Sequence, residues 1–262
     1  MSRSKAGYKS LLKDDGFSDL TLVKVRRLLG LGLAEMLGTA VFVALGCGNV
    51  VEHISNSSPA HLNTVISFSF GIATSIIIFG PISGALMNPA LNLAAVILGH
   101  MSLIKCLYFT IFQLLGGILG VLTVKMVTPS IPDGFCVTRP NPDVGAGSAF
   151  AVEFLTSGVL SLGLCHVLDP RQSTQTGLIF AKFLVIITAI AVPAAKYGGC
   201  SMNPARSFGP ALLSSTWDFH WIYWTATCLG AVVAAFLYRA FFEREIYEDP
   251  PANPKRDEVH PI

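Results

Sequence analysis

The chain has 262 residues, of which 52% are hydrophobic and only 13% charged, against roughly a quarter charged in ordinary soluble domains. That balance excludes an ordinary soluble domain and describes an integral membrane protein. A net charge of +2 gives no argument for nucleic acid as a partner, and the basic residues at the start of the chain serve better as a topology signal.

The polar segment Met1 to Arg27 carries Arg3, Lys5, Lys9, Lys13, Lys24, Arg26 and Arg27, too many charges spread too widely for a cleavable signal peptide. Six apolar stretches follow: Leu28 to Val51, Leu62 to Phe79, Leu103 to Val127, Ala149 to Leu168, Gly177 to Ala195 and Trp221 to Phe242. Each approaches the ~20 residues that a helix needs to cross a bilayer. An even number of crossings puts both termini on one side. The basic first segment, with no Lys or Arg in the loop Glu52 to His61, makes that side cytoplasmic. The expected location is the plasma membrane. Asn56-Ser57-Ser58, in the same loop, is a glycosylation sequon that would face outward.

The expected organisation is a cytoplasmic tail over 1–27, a membrane domain over 28–242 and a second cytoplasmic tail over 243–262. Within the domain, 28–127 and 147–242 are repeats of each other. "AEMLGTAVFV" (Ala34 to Val43) corresponds to "VEFLTSGVLS" (Val152 to Ser161), and "GALMNPALNLA" (Gly84 to Ala94) to "GCSMNPARSFG" (Gly199 to Gly209). Three spans per half force the second half to enter from the opposite face, so the repeat is inverted. The Gly/Pro-rich stretch 128–146 is the joint. The fold class is an all-α membrane protein of six transmembrane helices, plus two further pieces that do not cross.

Those pieces are the repeated Asn-Pro-Ala segments, Asn88-Pro89-Ala90 and Asn203-Pro204-Ala205. After each proline comes enough apolar sequence for a helix of ~15 Å, half the membrane. Proline suits a first helical position and asparagine the cap before it. Two re-entrant half-helices entering from opposite faces meet at mid-bilayer, N-terminus to N-terminus. Their dipoles and the Asn88 and Asn203 amides then hold a water or alcohol oxygen and repel cations. The preceding backbone at Gly84, Ala85, Gly198 and Gly199 would line the path with carbonyls.

Glu35 and Glu153 are carboxylates inside spans and need partners. A structural brace, with Gln113 assisting, and a proton relay are the two roles open to them. Arg206 costs ~3 kcal/mol at mid-membrane on insertion scales, so it should face water or a partner. Of the six cysteines, Cys47, Cys106, Cys165 and Cys228 read as small hydrophobes, Cys136 lies in an outer loop, and no disulfide framework is expected. No Cys-x-x-Cys pair suggests a metal, and nothing indicates a cofactor or an enzyme. The other classes open to such a chain are a membrane enzyme, for which no nucleophile or phosphate-binding motif exists, and a poorly conducting junctional protein.

With "SGALMNPA" and "GCSMNPARSFGPA" in place, the stretch Leu28 to Phe242 resembles the aquaporin (major intrinsic protein) family. The resemblance implies a right-handed six-span bundle, a pore in each subunit, a homotetramer in the lipid bilayer and glutamates that accept bonds from the re-entrant loops. It also implies a selectivity filter at Phe68, Ala191, Cys200 and Arg206. Water-selective members usually carry histidine where this chain has Ala191, and the methyl group widens the filter toward glycerol and urea as well as water. Ser207, where older glycerol channels have aspartate, and Tyr223-Trp224 are of the water type. This combination is similar to the insect entomoglyceroporins; strict water selectivity is the alternative. Leu86 departs from the family's usual histidine.

Overall fold

In a medium without water a spanning chain must satisfy its backbone polar groups internally, and the long apolar stretches do so as helices. A computed structural model of the chain describes residues 21–56, 61–169, 171 and 176–242. The Asn56 side chain, Ser57 and Ser58, and most of both expected tails, lie outside the described residues. The elements are α1 (Leu22–Asn56), α2 (His61–Ser83), α3 (Pro89–Ile97), α4 (Leu103–Val127), α5 (Gly145–Leu168), a 3-10 turn (Thr176–Leu178), α6 (Ile179–Gly198), α7 (Pro204–Leu213) and α8 (Ile222–Phe241). Six of the helices are long and apolar enough to cross a membrane. The other two, α3 and α7, are half that length.

The packing repeats the internal symmetry of the sequence. Helix α1 packs on α2 and α4, as α5 packs on α6 and α8, while α2 meets α6 across the middle. The half-helices exchange partners, α3 lying against α8 and α7 against α4. Close approach depends on missing side chains at equivalent positions. A Cβ on Gly116 would collide with the Met36 carbonyl, and one on Gly230 with the Phe154 carbonyl. Backbones that touch in this way associate without a hydrophobic driving force between helices.

Helix α1 starts at Leu22, because Lys24, Arg26 and Arg27 are good helix formers that continue it ahead of the apolar stretch that begins at Leu28. Two expectations are corrected. The backbone remains helical through Asn56, so the expected loop is shorter. Cys47 does not act as a free hydrophobe. It is bonded to Cys136, with S–S 1.96 Å and Cα–Cα 5.4 Å, across 89 positions of sequence. A partner that distant leaves no local signal in an apolar span.

The two ends of the bundle differ. One, the connector face, carries residues 128–144, the start of α2 and the disulfide. The other, the terminal face, carries the first turn of α1 and the last of α8.

Candidate functional site

Both half-helices begin in the same way. Asn88 (φ −153°, ψ 115°) and Asn203 (φ −152°, ψ 110°) are extended caps followed by proline at the first helical position. Asn88 Oδ1 accepts from the Ala90 N–H and Asn203 Oδ1 from the Ala205 N–H, each at 2.9 Å. That turns each amide oxygen toward its own helix and leaves the nitrogen to find a partner elsewhere. Asn88 Nδ2 then donates to the Met202 carbonyl and Asn203 Nδ2 to the Met87 carbonyl, both at 2.8 Å. The tips are thus tied reciprocally. An amide nitrogen has two hydrogens, and the second of each is left for whatever occupies the space beside it.

The chain leading into each tip is unusual backbone. Positive φ occurs at Gly84 (94°), Ala85 (46°) and Met87 (50°), and again at Gly199 (86°), Cys200 (46°) and Met202 (53°). Non-glycine residues in that region cost on the order of 1 kcal/mol or more each and persist only where the surroundings over-determine them. The buried glutamates do so. Glu35 accepts from the Leu86 N–H at 3.1 Å, the Met87 N–H at 2.7 Å, the Ser83 hydroxyl at 2.6 Å and the Gln113 amide at 2.8 Å. Glu153 accepts from the Ser201 and Met202 N–H groups at 2.7 and 2.8 Å. Gln113 also pairs with Asn92 of α3.

Around the tips lie two cavities. The larger, about 550 Å³, opens at the connector face and is lined among others by Phe68, Ala191, Cys200, Arg206, Asn88 and Asn203. The smaller, about 40 Å³, lies on the far side of the tips and is lined by Ala85, Leu86, Phe183, Ile187 and both asparagines. Asn88 and Asn203 border both. The four residues expected to form a filter come from α2, α6, the α6–α7 connection and α7, and the fold brings all four to one cavity. Arg206 stands over the Phe68 ring at 4.6 Å from its centroid and donates from Nη1 to the Cys136 carbonyl at 2.7 Å.

Of the expected carbonyl positions, Gly198 and Gly199 border the large cavity and Ala85 the small one, while Gly84 borders neither. The Gly198 carbonyl also accepts from the Tyr223 hydroxyl at 2.8 Å. Pro89, Ala90, Pro204 and Ala205 are buried first-turn residues. Leu86 is 4% exposed and packs at the small cavity, an apolar wall between the Glu35-bound backbone and the lumen.

Residues of the connector belong to the site, although its sequence reads as a joint. Cys136, Thr138 and Asn141 line the large cavity. Thr138 donates to Ser207 at 2.7 Å, and Asn141 binds the Tyr197 and Lys196 carbonyls. The buried Ser207 hydroxyl also bonds that of Ser201. Only the apolar residues within an otherwise polar connector, such as Val137 beside Cys136, hinted that this segment turns inward. Among the described residues no cluster of metal-ligating side chains exists.

Six membrane-length helices around two half-helices that meet tip to tip beside a cavity define a multi-pass membrane protein of the channel type. The family model described as Major intrinsic protein matches residues 23–238, and the chain belongs to that family, the aquaporins, whose members are channels rather than enzymes. Similar relatives are aquaporin-4 of Mus musculus, 37% identical over 80% of this chain, and aquaporin-2 of Ovis aries, 32% identical over 79% of this chain and 76% of its own length. The aquaporin-4 match covers 66% of that relative's length. The fold is also that of the aquaglyceroporin from Plasmodium falciparum, with a TM-score of 0.75 at 24% identity, covering 80% of this chain and 95% of that one.

Proposed function

We propose that this protein is a passive channel for water and small neutral solutes such as glycerol and urea, and that it excludes ions and protons. The observation that carries the reading is the combination at the large cavity: a methyl group at Ala191, an aromatic face at Phe68 and the Arg206 guanidinium, with Cys200 beside them. A carbon backbone would slide along the ring and the methyl group while its hydroxyls bond Arg206. Asn88 and Asn203 then receive the permeant oxygen at the tips. The positive ends of α3 and α7 oppose cations, and donors on both sides of a single file break a proton wire. In this reading Glu35, Glu153 and Gln113 are braces, and the carbonyls of the re-entrant backbone are acceptors along the path.

The channel domain is 28–242, with repeats 28–127 and 147–242 joined by 128–146. The protein works as a homotetramer in the plasma membrane with cytoplasmic termini. The Cys47–Cys136 disulfide supports that orientation, since disulfides persist on the non-cytoplasmic side. A second reading, strict water selectivity, is favoured by Ser207. Swelling of vesicles that contain the purified protein decides between them: excess water, glycerol and urea permeability is expected. Water flux alone would establish the second reading, and no excess water flux would reject both.

A further inference from the structure

The cysteine bridge lies beside the cavity in a specific way. Cys47 is fully buried in α1, and Cys136 is 8% exposed in the connector. The carbonyl of Cys136 itself accepts the 2.7 Å bond from Arg206 Nη1. Cys136 also has φ +64°, a conformation that residues with a Cβ rarely adopt. The neighbouring turn bonds are long, Phe135 N–H to the Pro132 carbonyl at 3.4 Å and Val137 N–H to the Gly134 carbonyl at 3.3 Å. Local hydrogen bonding therefore holds this backbone weakly, and a strained residue needs an outside constraint. The covalent link to α1 supplies one.

The other end of the link is equally placed. Gly46, immediately before Cys47, has no side chain because the Phe68 ring lies against it, where a Cβ would collide. Successive residues of α1 thus seat the aromatic face and, through the bridge, the carbonyl that draws back the guanidinium above that face. We propose that the Cys47–Cys136 disulfide is a positioning element of the solute filter: it fixes the carbonyl that keeps Arg206 against the wall and the lumen open. The inference rests on the reading of Arg206 as a filter residue. Without the bridge, Cys136 relaxes out of its positive φ, its carbonyl turns away, and the long arginine side chain swings into the cavity. The larger permeant suffers more than water.

The test compares parent, Cys47→Ser, Cys136→Ser and the double serine variant, each purified and reconstituted into liposomes. Mass spectrometry of the unreduced parent must find the Cys47–Cys136 link, and free thiols at both positions would overturn the proposal. All three variants are expected to lower the ratio of glycerol to water permeability by about threefold or more and to a common value, because each lacks the same bond. An unchanged ratio in the double variant overturns the proposal. A parent that passes only water rejects the wider permeant range alone. The bridge is then read from water permeability, which falls at least about twofold in the double variant, and no fall overturns the inference. To separate positioning from folding, the double variant is repeated in an Arg206→Ala background. Removal of the bridge should have no further effect there, and an equal effect would show that it acts elsewhere.

Discussion

At Ala191 a single methyl group borders a cavity of about 550 Å³ beside Arg206 and Phe68. An imidazole at that position would take up part of the cavity and add a polar wall. Ala191→His is therefore expected to lower glycerol permeability by about tenfold or more, on the scale at which pockets discriminate by size, while water permeability stays within about twofold of the parent. Parallel stopped-flow measurements on the same liposomes check this, and equal glycerol flux in variant and parent would remove Ala191 from the filter. Arg206 and the two asparagines were legible in the sequence because the repeated Asn-Pro-Ala carries its own chemistry. Phe68 and Ala191 are ordinary apolar residues whose position came from resemblance, and the fold brings them to the same cavity.

The re-entrant connections depend on one carboxylate each. Glu153 accepts the Ser201 and Met202 N–H groups, which have no water to turn to in a buried site. Glu153→Ala leaves two donors unsatisfied at about 1–3 kcal/mol each, while Cys200 and Met202 keep their positive φ without support. The expected outcome is a protein that melts markedly lower in detergent and conducts poorly, measured by thermal unfolding and vesicle swelling. An unchanged melting temperature would show that the brace is dispensable.

The junction between α5 and α8 is held by an ion pair at the terminal face. Asp169, buried just past α5, accepts from Arg171, at 2.8 Å from both its backbone N–H and its Nε, and from the Tyr238 hydroxyl at 2.6 Å. The Arg171 bonds, aided by Tyr238, hold the Asp169 carboxyl well below the usual carboxylate range even though burial opposes this. A depressed folded-state pKa gives stability that is present above the unfolded value and lost as the pH falls through the folded one. Asp169→Asn is expected to melt lower than the parent at pH 7, with the gap closing as the pH drops below about 4. A gap that widens on acidification would mean that the carboxylate is not what holds this end. In the same region Arg239 donates to the Ile97 carbonyl at 2.6 Å, placing a cation at the C-terminal end of α3 where the helix dipole favours it.

Among the described residues, many exposed apolar side chains lie on the long helices, among them Leu33, Leu37, Phe70, Ile77, Leu107 and Leu155. They suit lipid or a second copy of the chain, and the proposed assembly would pack through them. The proposed homotetramer predicts a mass of four chains, about 112 kDa of protein, from one chain of 28.0 kDa in native mass spectrometry from mild detergent. A monomer under conditions that preserve water flux would reject it.

The sequence by itself determined the helices, the inverted repeat, the two half-helices and the carboxylates that had to find partners. Each of these is written in local hydropathy, in a cap followed by proline, or in a charge that hydrocarbon cannot tolerate. The tertiary structure decided what touches what: the Cys47–Cys136 bond across 89 positions, the reciprocal bonds from each asparagine to the opposite tip, and the inward fold of the connector that brings a carbonyl to Arg206. These contacts join residues far apart in the chain, and no local periodicity records a partner that only packing brings near.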